Sequence, residues 1–445
     1  MTRSDPARPP LGRRFLVFWF GQTVSSIGST VSGVGIAVWV YLETGSATWL
    51  GLLTALTALP ALLASPIVPL VDRLPRRRVI VAADTLAATG TVAALVLGLS
   101  GHLEVWHLAV AGFVASLGTA LQFPAFQAAI PSLVDPAALG RANGLNQLGP
   151  AVGIVVGPVV ATPLVAWQGV TAVLLVDVAT FLVAIACTLA VPFDELRAEP
   201  DSTDDGSWGV AIRWLRTEAR PLAVLLIAMA VTNFFLAFFN IAMISVAASV
   251  AGAARSGLVF TVGGVAMLAG SIVLGRRGVP DRRGWGLLVG VLGVAVGCAV
   301  MALRPTIVVV LLGAAAVKSV VPLVSSIVAT VYHERVPPSM QGRIFGLRSA
   351  AARSLDPIGA AVAGVVITRL AEPAMDDGGW AAGSVGSVIG VGADRGGALV
   401  LLAVSAAMTM LAIWLRRAIG TTLDIAPAVD DDTPRIVVEP VPAGT

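Results

Sequence analysis

Apolar residues in this chain fall in runs of about 20 separated by short polar segments, without the alternation of a half-buried strand or the narrow stripe of a soluble helix. A run of that length, wound as a helix, crosses about 30 Å of hydrocarbon. Twelve such spans are expected, at residues 15–41, 48–71, 79–99, 106–129, 142–166, 169–191, 221–250, 257–275, 285–304, 306–331, 344–369 and 396–415. The pattern predicts an all-α integral membrane protein of twelve transmembrane helices. Residues 1–14 precede a first bundle of six spans (15–192), residues 193–220 link it to a second bundle of six (221–416), and residues 417–445 form a tail expected to be disordered.

Composition agrees, since 56% of the residues are hydrophobic and 12% charged, against roughly 25% charged in a soluble domain. Charge then adds orientation. The pI near 9.4 would suggest nucleic acid in a soluble protein, but here the arginines cluster between apolar runs. Connections on the side of the termini hold 22 arginines and the opposite ones four, Arg255, Arg304, Arg369 and Arg395. By the positive-inside rule both termini are expected to be cytoplasmic in a multi-pass cell-membrane protein. Cys187 and Cys298 lie inside apolar runs, which excludes a disulfide framework or a CxxC metal site.

The first half of 193–220 is acidic and polar and reads as a flexible linker. Its second half places Trp208, Ile212 and Leu215 on one helical face, with Arg213, Arg216 and Arg220 elsewhere, as expected for a helix lying on the membrane surface. The connection 370–395, rich in Gly, Ser and Asp, is expected to be irregular. An internal repeat supports a six-plus-six arrangement. Gly140-Arg141-Ala142-Asn143-Gly144-Leu145 opens span 5, Gly342-Arg343-Ile344-Phe345-Gly346-Leu347 opens span 11, and Gly157 matches Gly359 at the same offset of 202 residues.

Two stretches carry a family resemblance. Between spans 2 and 3 stands Val68-Pro69-Leu70-Val71-Asp72-Arg73-Leu74-Pro75-Arg76-Arg77-Arg78, and span 5 spaces Gly144, Gly153, Gly157 and Pro158 as Gly, eight residues, Gly, three residues, Gly-Pro. With these the chain resembles the major facilitator superfamily over about residues 11–416, and within it the twelve-span drug, macrolide-efflux and siderophore exporters. The resemblance implies two pseudo-symmetric six-helix bundles, the major facilitator fold. Asp72, Arg73, Arg76 and Arg77 match the family's cytoplasmic gate loop, whereas Val68 and Pro75 replace its glycines. Asp72 at a helix end can pair with an arginine or a helix N-terminus of the other half when the cytoplasmic side closes. The bland alternative is that the arginines serve orientation alone. The span 5 pattern is the family's antiporter-type motif, which accompanies export; its closing Gly-Gly is Ala161-Thr162 here, still small.

Ionisable groups inside spans cost about 2.5–3.5 kcal/mol on insertion scales and need a partner or a watery cavity. They are Asp84, Asp177, Lys318, Arg348, Arg353 and Asp356. Asp84 and Asp177 fall in spans that the family places outside each half, where a structural bond to a neighbouring helix is expected. Lys318, Arg353 and Asp356 form either a structural cluster or part of the coupling machinery, with Asp356 or Asp84 as the group that changes protonation. Candidate cavity residues are Gln22 and Ser26 on span 1, Gln122 and Phe126 on span 4, and Asn233, Phe234, Phe238 and Asn240 on span 7. Aromatic walls with few polar groups suit bulky amphipathic ligands.

The reading that follows is a secondary active exporter of a small organic molecule, a drug, antibiotic, siderophore or other secondary metabolite, working by proton antiport with alternating access. An importer of the same fold is the alternative. No cofactor beyond the proton gradient, no metal, no nucleic acid and no obligatory protein partner is expected, and the partners are the small-molecule substrate and the lipid bilayer. Direct ATP drive is disfavoured by the lack of a GxxxxGK[ST] stretch. An enzyme is disfavoured too: HExxH and GxSxG are missing, and the three histidines, His102, His107 and His333, make no cluster.

Overall fold

A computed structural model describes residues 11–63, 74–135, 138–193, 208–217, 219–337, 340–392 and 395–419. These residues are helical apart from turns and connections. Span 1 is Arg13–Thr44 and stops where Gly45 turns to φ 59°, its N–H capping the Tyr41 carbonyl. Span 2 is described as Ala47–Leu63, span 3 is Arg76–Leu99 and span 4 is Val105–Ala129. Spans 5 and 6 share the helix Leu139–Ala190, broken at Gln168 and Gly169, where φ reaches 67° at the glycine. Spans 7 and 8 lie in Arg220–Arg277; Arg283–Leu303, Ile307–Arg335, Gln341–Val366 and Gly396–Ile419 supply spans 9 to 12. Among the described residues ten helices are long and apolar enough to cross a membrane. Span 2, whose described part is short, and the second limb of Leu139–Ala190 bring the crossings to twelve.

The outward surface is apolar, with Val96, Leu175, Leu182, Ile272, Val296 and Met410 all exposed, as lipid-facing helices require. Inside each half the same neighbours meet. A Cβ on Gly157 would lie 2.8 Å from Thr30 of span 1, and one on Gly359 would lie 2.7 Å from the Phe234 carbonyl of span 7. The repeat-equivalent glycines of spans 5 and 11 therefore seat the repeat-equivalent spans 1 and 7 at close range.

The two halves touch on the side away from the termini. Thr48 Oγ1 donates to the Gly364 carbonyl at 3.1 Å, the Thr48 N–H donates to Thr368 Oγ1 at 3.3 Å, and the Tyr41 and Ser245 hydroxyls bond at 2.9 Å. Backbones approach just as closely: a Cβ on Gly51 would lie 2.3 Å from the Ala360 carbonyl, and one on Gly257 would lie 2.1 Å from Thr162 Oγ1. Ala47 and Leu50 of span 2 are buried in the core of the second half.

One connection departs from expectation. Within 370–392 the chain is folded: a π-helical turn at Ile367–Ala371 leads into Glu372–Met375, and a second short helix spans Gly386–Ile389. Met375, Ala381 and Ile389 are buried, and Arg395, 5% exposed, donates to the Ile389 and Ala302 carbonyls at 2.7 Å each. Two of its glycines allow close approach, a Cβ on Gly379 lying 2.4 Å from the Ala374 carbonyl and one on Gly386 2.9 Å from Val391, while Gly378, Gly390 and Gly392 form turns at positive φ. The second half of the linker forms the helix Trp208–Thr217, with Leu215 buried and Ile212, Arg213 and Arg216 exposed. Most of the acidic linker and the C-terminal tail lie outside the described residues.

Candidate functional site

Spans 1, 3, 4, 5 and 6 enclose a cavity of about 490 Å³ in the first half. Its lining residues lie on the terminal side of the seal between the halves. Gln22, Ser26, Gln122 and Phe126 all border it, joined by Trp19, Thr30, Phe123, Asn146 and Phe181, and among the described residues Asp84 is the one ionisable side chain in the lining. Buried Gln22 is the hub. Its amide N–H₂ donates to Asp84 Oδ2 at 3.0 Å and to Thr188 Oγ1 at 3.2 Å, while its oxygen accepts from Gln122. Four spans are thus joined by one polar network, whose members would each cost desolvation energy if left unpaired. Asp177 is held likewise, accepting from Ser29 at 3.2 Å and Thr91 at 3.1 Å.

The second half is built differently. Lys318 Nζ donates to Asn240 Oδ1 at 2.9 Å and lies 5.5 Å from the centre of the Phe239 ring. Asp356 interacts with Lys318 electrostatically, so the hydrogen-bonded partner of the lysine is the span 7 amide, where the sequence suggested the span 11 acid. Asn240 is accordingly engaged by Lys318. The Arg353 side chain lies outside what is described. Phe234, Phe235 and Phe238 stack with ring centres 5.1–5.9 Å apart, and Phe238 is buried in the core. Asn233 borders a separate cavity of about 230 Å³ together with Thr232, Ser325 and Arg348.

Span 5 is tightly seated on both sides. A Cβ on Gly153 would lie 2.9 Å from Thr30 Oγ1, and the Pro158 carbonyl would lie 2.8 Å from a Cβ on Gly257 of span 8. Thr162 donates back to Pro158 O at 2.9 Å and is buried beside Ala161. Gly144 lies in the same helix. Of the charged loop, Asp72 and Arg73 lie outside the described residues. Arg76 donates to the Ala128 carbonyl near the end of span 4, and Arg77 to the Leu189 carbonyl at the end of span 6. Both arginines thereby cap helix C-termini of their own half, where cations and donors are favoured.

The Major Facilitator Superfamily profile matches residues 18–360. The chain belongs to that family. Among superfamily members it is similar to macrolide efflux protein A of Streptococcus pyogenes, 25% identical over 377 residues that make up 80% of this chain and 90% of that one. A macrolide efflux protein A of Enterococcus faecalis is 25% identical over 309 residues, covering 65% of this chain and 92% of the relative. The fold matches solved superfamily structures, with a TM-score of 0.68 to the nucleoside transporter NupG at 11% identity, covering 92% of this chain and all of that one. A bacterial homologue of the iron transporter ferroportin in an inward-facing state gives 0.65 at 18% identity, covering 92% and 99%.

Several cavity residues of this superfamily member escape a reading by composition. Trp19, whose indole N–H donates to the Leu145 carbonyl at 3.0 Å, ties span 1 to span 5. Asn146 follows directly on the repeated Gly-Arg element, and the cluster of amides Asn143, Asn146 and Gln147 at the start of an apolar span was the signal that could have found it. His107 acts locally, its Nδ1 accepting from the Glu104 N–H at 2.9 Å in a capping box at the start of span 4.

Proposed function

We propose that this protein exports a small organic molecule, a drug, antibiotic or secondary metabolite, by proton antiport across the cell membrane, with both termini in the cytoplasm. The observation that carries the reading is the asymmetry of closure. The halves are hydrogen-bonded together on the side away from the termini, while a polar and aromatic cavity lies toward the terminal side. With the arginine-rich terminal side cytoplasmic, the cavity is poised to load from inside. Similarity to proteins named for macrolide efflux supports the outward direction, as does the antiporter-type spacing of span 5. Alternating access then consists in breaking the outer seal and closing the inner side.

For coupling, Asp84 and Asp356 are the acidic groups placed to change protonation, the first in the cavity wall and the second beside Lys318. The gate role belongs to the 72–78 loop, with Asp72 reaching the second half when the inner side closes.

The test starts from a strain with and without the gene, comparing the compounds it secretes. A compound secreted through this protein is then offered to everted vesicles. Accumulation driven by respiration and collapsed by an uncoupler is expected. Accumulation indifferent to the uncoupler overturns proton coupling, and movement only in the opposite sense overturns export. Full proton-driven efflux by both Asp356→Asn and Asp84→Asn would remove these two residues from the coupling role.

A further inference from the structure

The repeat that pairs Gly140 with Gly342 also pairs Asn146 with Arg348, six residues further along each helix. Each borders the cavity of its own half. In the first half both side-chain atoms of Asn146, Nδ2 and Oδ1, are buried without a hydrogen-bond partner. Which end of the amide is nitrogen therefore makes no difference. A buried polar atom left unpaired costs about 1–3 kcal/mol, so two on one side chain at a cavity wall indicate a group that enters and pairs with both.

In the second half the Arg348 guanidinium lies 5.5 Å from the centre of the Tyr332 ring and 5.7 Å from that of Phe345. Tyr332 is itself fixed, its hydroxyl donating to the Leu222 carbonyl at 2.8 Å. Two rings thus prop a planar cation at the edge of a cavity otherwise walled by neutral groups. Among the described residues no carboxylate lines that cavity, and Asp356 is engaged with Lys318. A guanidinium held in this way presents its fork to a carboxylate, which it grips through two parallel N–H bonds.

We propose that positions 146 and 348 are the ligand-reading positions of the two halves. Asn146 takes a neutral group that donates and accepts a hydrogen bond, Arg348 takes a carboxylate, and the cargo is an amphipathic organic acid. The inference rests on the transport reading above and gives it a substrate class. Charge distribution sets the orientation: Asp84 borders the first cavity and Arg348 the second, so an acidic end is repelled from one half and drawn to the other. The second cavity, about 230 Å³, admits an acidic arm of the cargo, the remainder lying toward the aromatic walls of the first half.

The test is equilibrium binding of pyrenylbutyrate and of pyrenylbutyramide to the full-length protein in phosphatidylcholine nanodiscs. Wild-type protein should bind the acid about tenfold or more tighter than the amide, the usual margin for a hydrogen bond to a charged group. Arg348→Gln should bring the acid to the affinity of the amide; a pyrenylbutyrate carrying a hydroxyl on the ring should bind wild-type protein more tightly than pyrenylbutyrate, and Asn146→Leu should erase that gain while the acid preference stays. Equal binding of acid and amide to wild-type protein overturns the proposal, as does an acid preference that survives Arg348→Gln. The wild-type contrast needs no variant, so a misfolded Arg348→Gln leaves the test intact. In nanodiscs containing phosphatidylglycerol the preference should persist; its loss there would assign the Arg348 cavity to lipid phosphate and overturn the cargo reading. Binding is read without a gradient, so vesicles that fail to transport while the acid preference holds would overturn the exporter reading alone.

Discussion

The two halves share a plan and differ in chemistry. In each, a glycine at the repeat position, Gly157 or Gly359, brings span 5 or 11 against span 1 or 7. The first half then buries two acids, Asp84 and Asp177, each accepting hydrogen bonds from neutral side chains of neighbouring helices. The second half buries a base, Lys318, bonded to the Asn240 amide, and carries Arg348 on two aromatic rings. Helix packing that depends on small residues and backbone contacts tolerates such divergence, because the side chains facing the cavities bear little of it. The scaffold of the repeat is kept while the two halves carry charges of opposite sign, and that contrast is what a ligand meeting both halves would sense.

The comparison can be broken most severely where the halves meet. A Cβ on Gly364 would lie 2.4 Å from the Ala47 carbonyl, so Gly364→Leu forces spans 2 and 11 apart, and transport should fall by about tenfold or more, the scale of the 1–3 kcal/mol expected for overpacking a tight contact. Gly33→Leu, on a glycine with nothing within 4 Å of its Cβ, is the matched control and should transport as wild type; vesicle uptake rates read both. Next comes the network of the first half. Asp84→Leu leaves the Gln22 amide without its carboxylate partner and should cost about 1–3 kcal/mol, seen as a lowered midpoint of thermal unfolding in detergent.

In the second half the pair Lys318 and Asn240 is open to a double-mutant cycle. Asn240→Leu removes the hydrogen-bonded partner of a part-buried ammonium and leaves it Asp356 alone, so it should destabilise, while adding Lys318→Met should recover part of the loss through a coupling energy of about 0.5–3 kcal/mol. The smallest effect is expected at Arg283, whose guanidinium forms a two-pronged pair with Glu334, 21% and 39% exposed. Arg283→Gln should cost at most about 1 kcal/mol by the same unfolding measurement. A larger loss there than at Asp84 would contradict the view that buried networks, not surface pairs, hold each half together.

Much of this architecture was legible in the chain. Runs of apolar residues fix twelve helices because the bilayer demands that backbone groups be satisfied within each span, and the glycine spacing of span 5 marks a face of close approach that Gly153 and Gly157 occupy against Thr30. Gln22, Ser26, Gln122 and Phe126 could be placed near one cavity because polar residues in apolar helices are rarely free to face lipid. What remained hidden depends on helix rotation and on backbone partners. Lys318 had two acceptors within reach, Asn240 and Asp356, and only the relative turn of spans 7, 10 and 11 decides for the amide. Arg76 and Arg77 found main-chain carbonyls at helix ends, which have no signature in the sequence. The folding of 376–392 over span 9 relies on small buried residues that composition alone reads as loop.

Transport by alternating access requires the outer seal to open during each cycle. Thr48 and Thr368 meet across it, with the Thr48 N–H at 3.3 Å from Thr368 Oγ1. The native thiols, Cys187 and Cys298, can be replaced by alanine and a Thr48→Cys, Thr368→Cys pair introduced. Oxidation of that pair in everted vesicles should abolish uptake of the cargo, and reduction should restore it. Uptake that continues at the reduced-state rate with the cross-link fully formed would contradict alternating access at this interface.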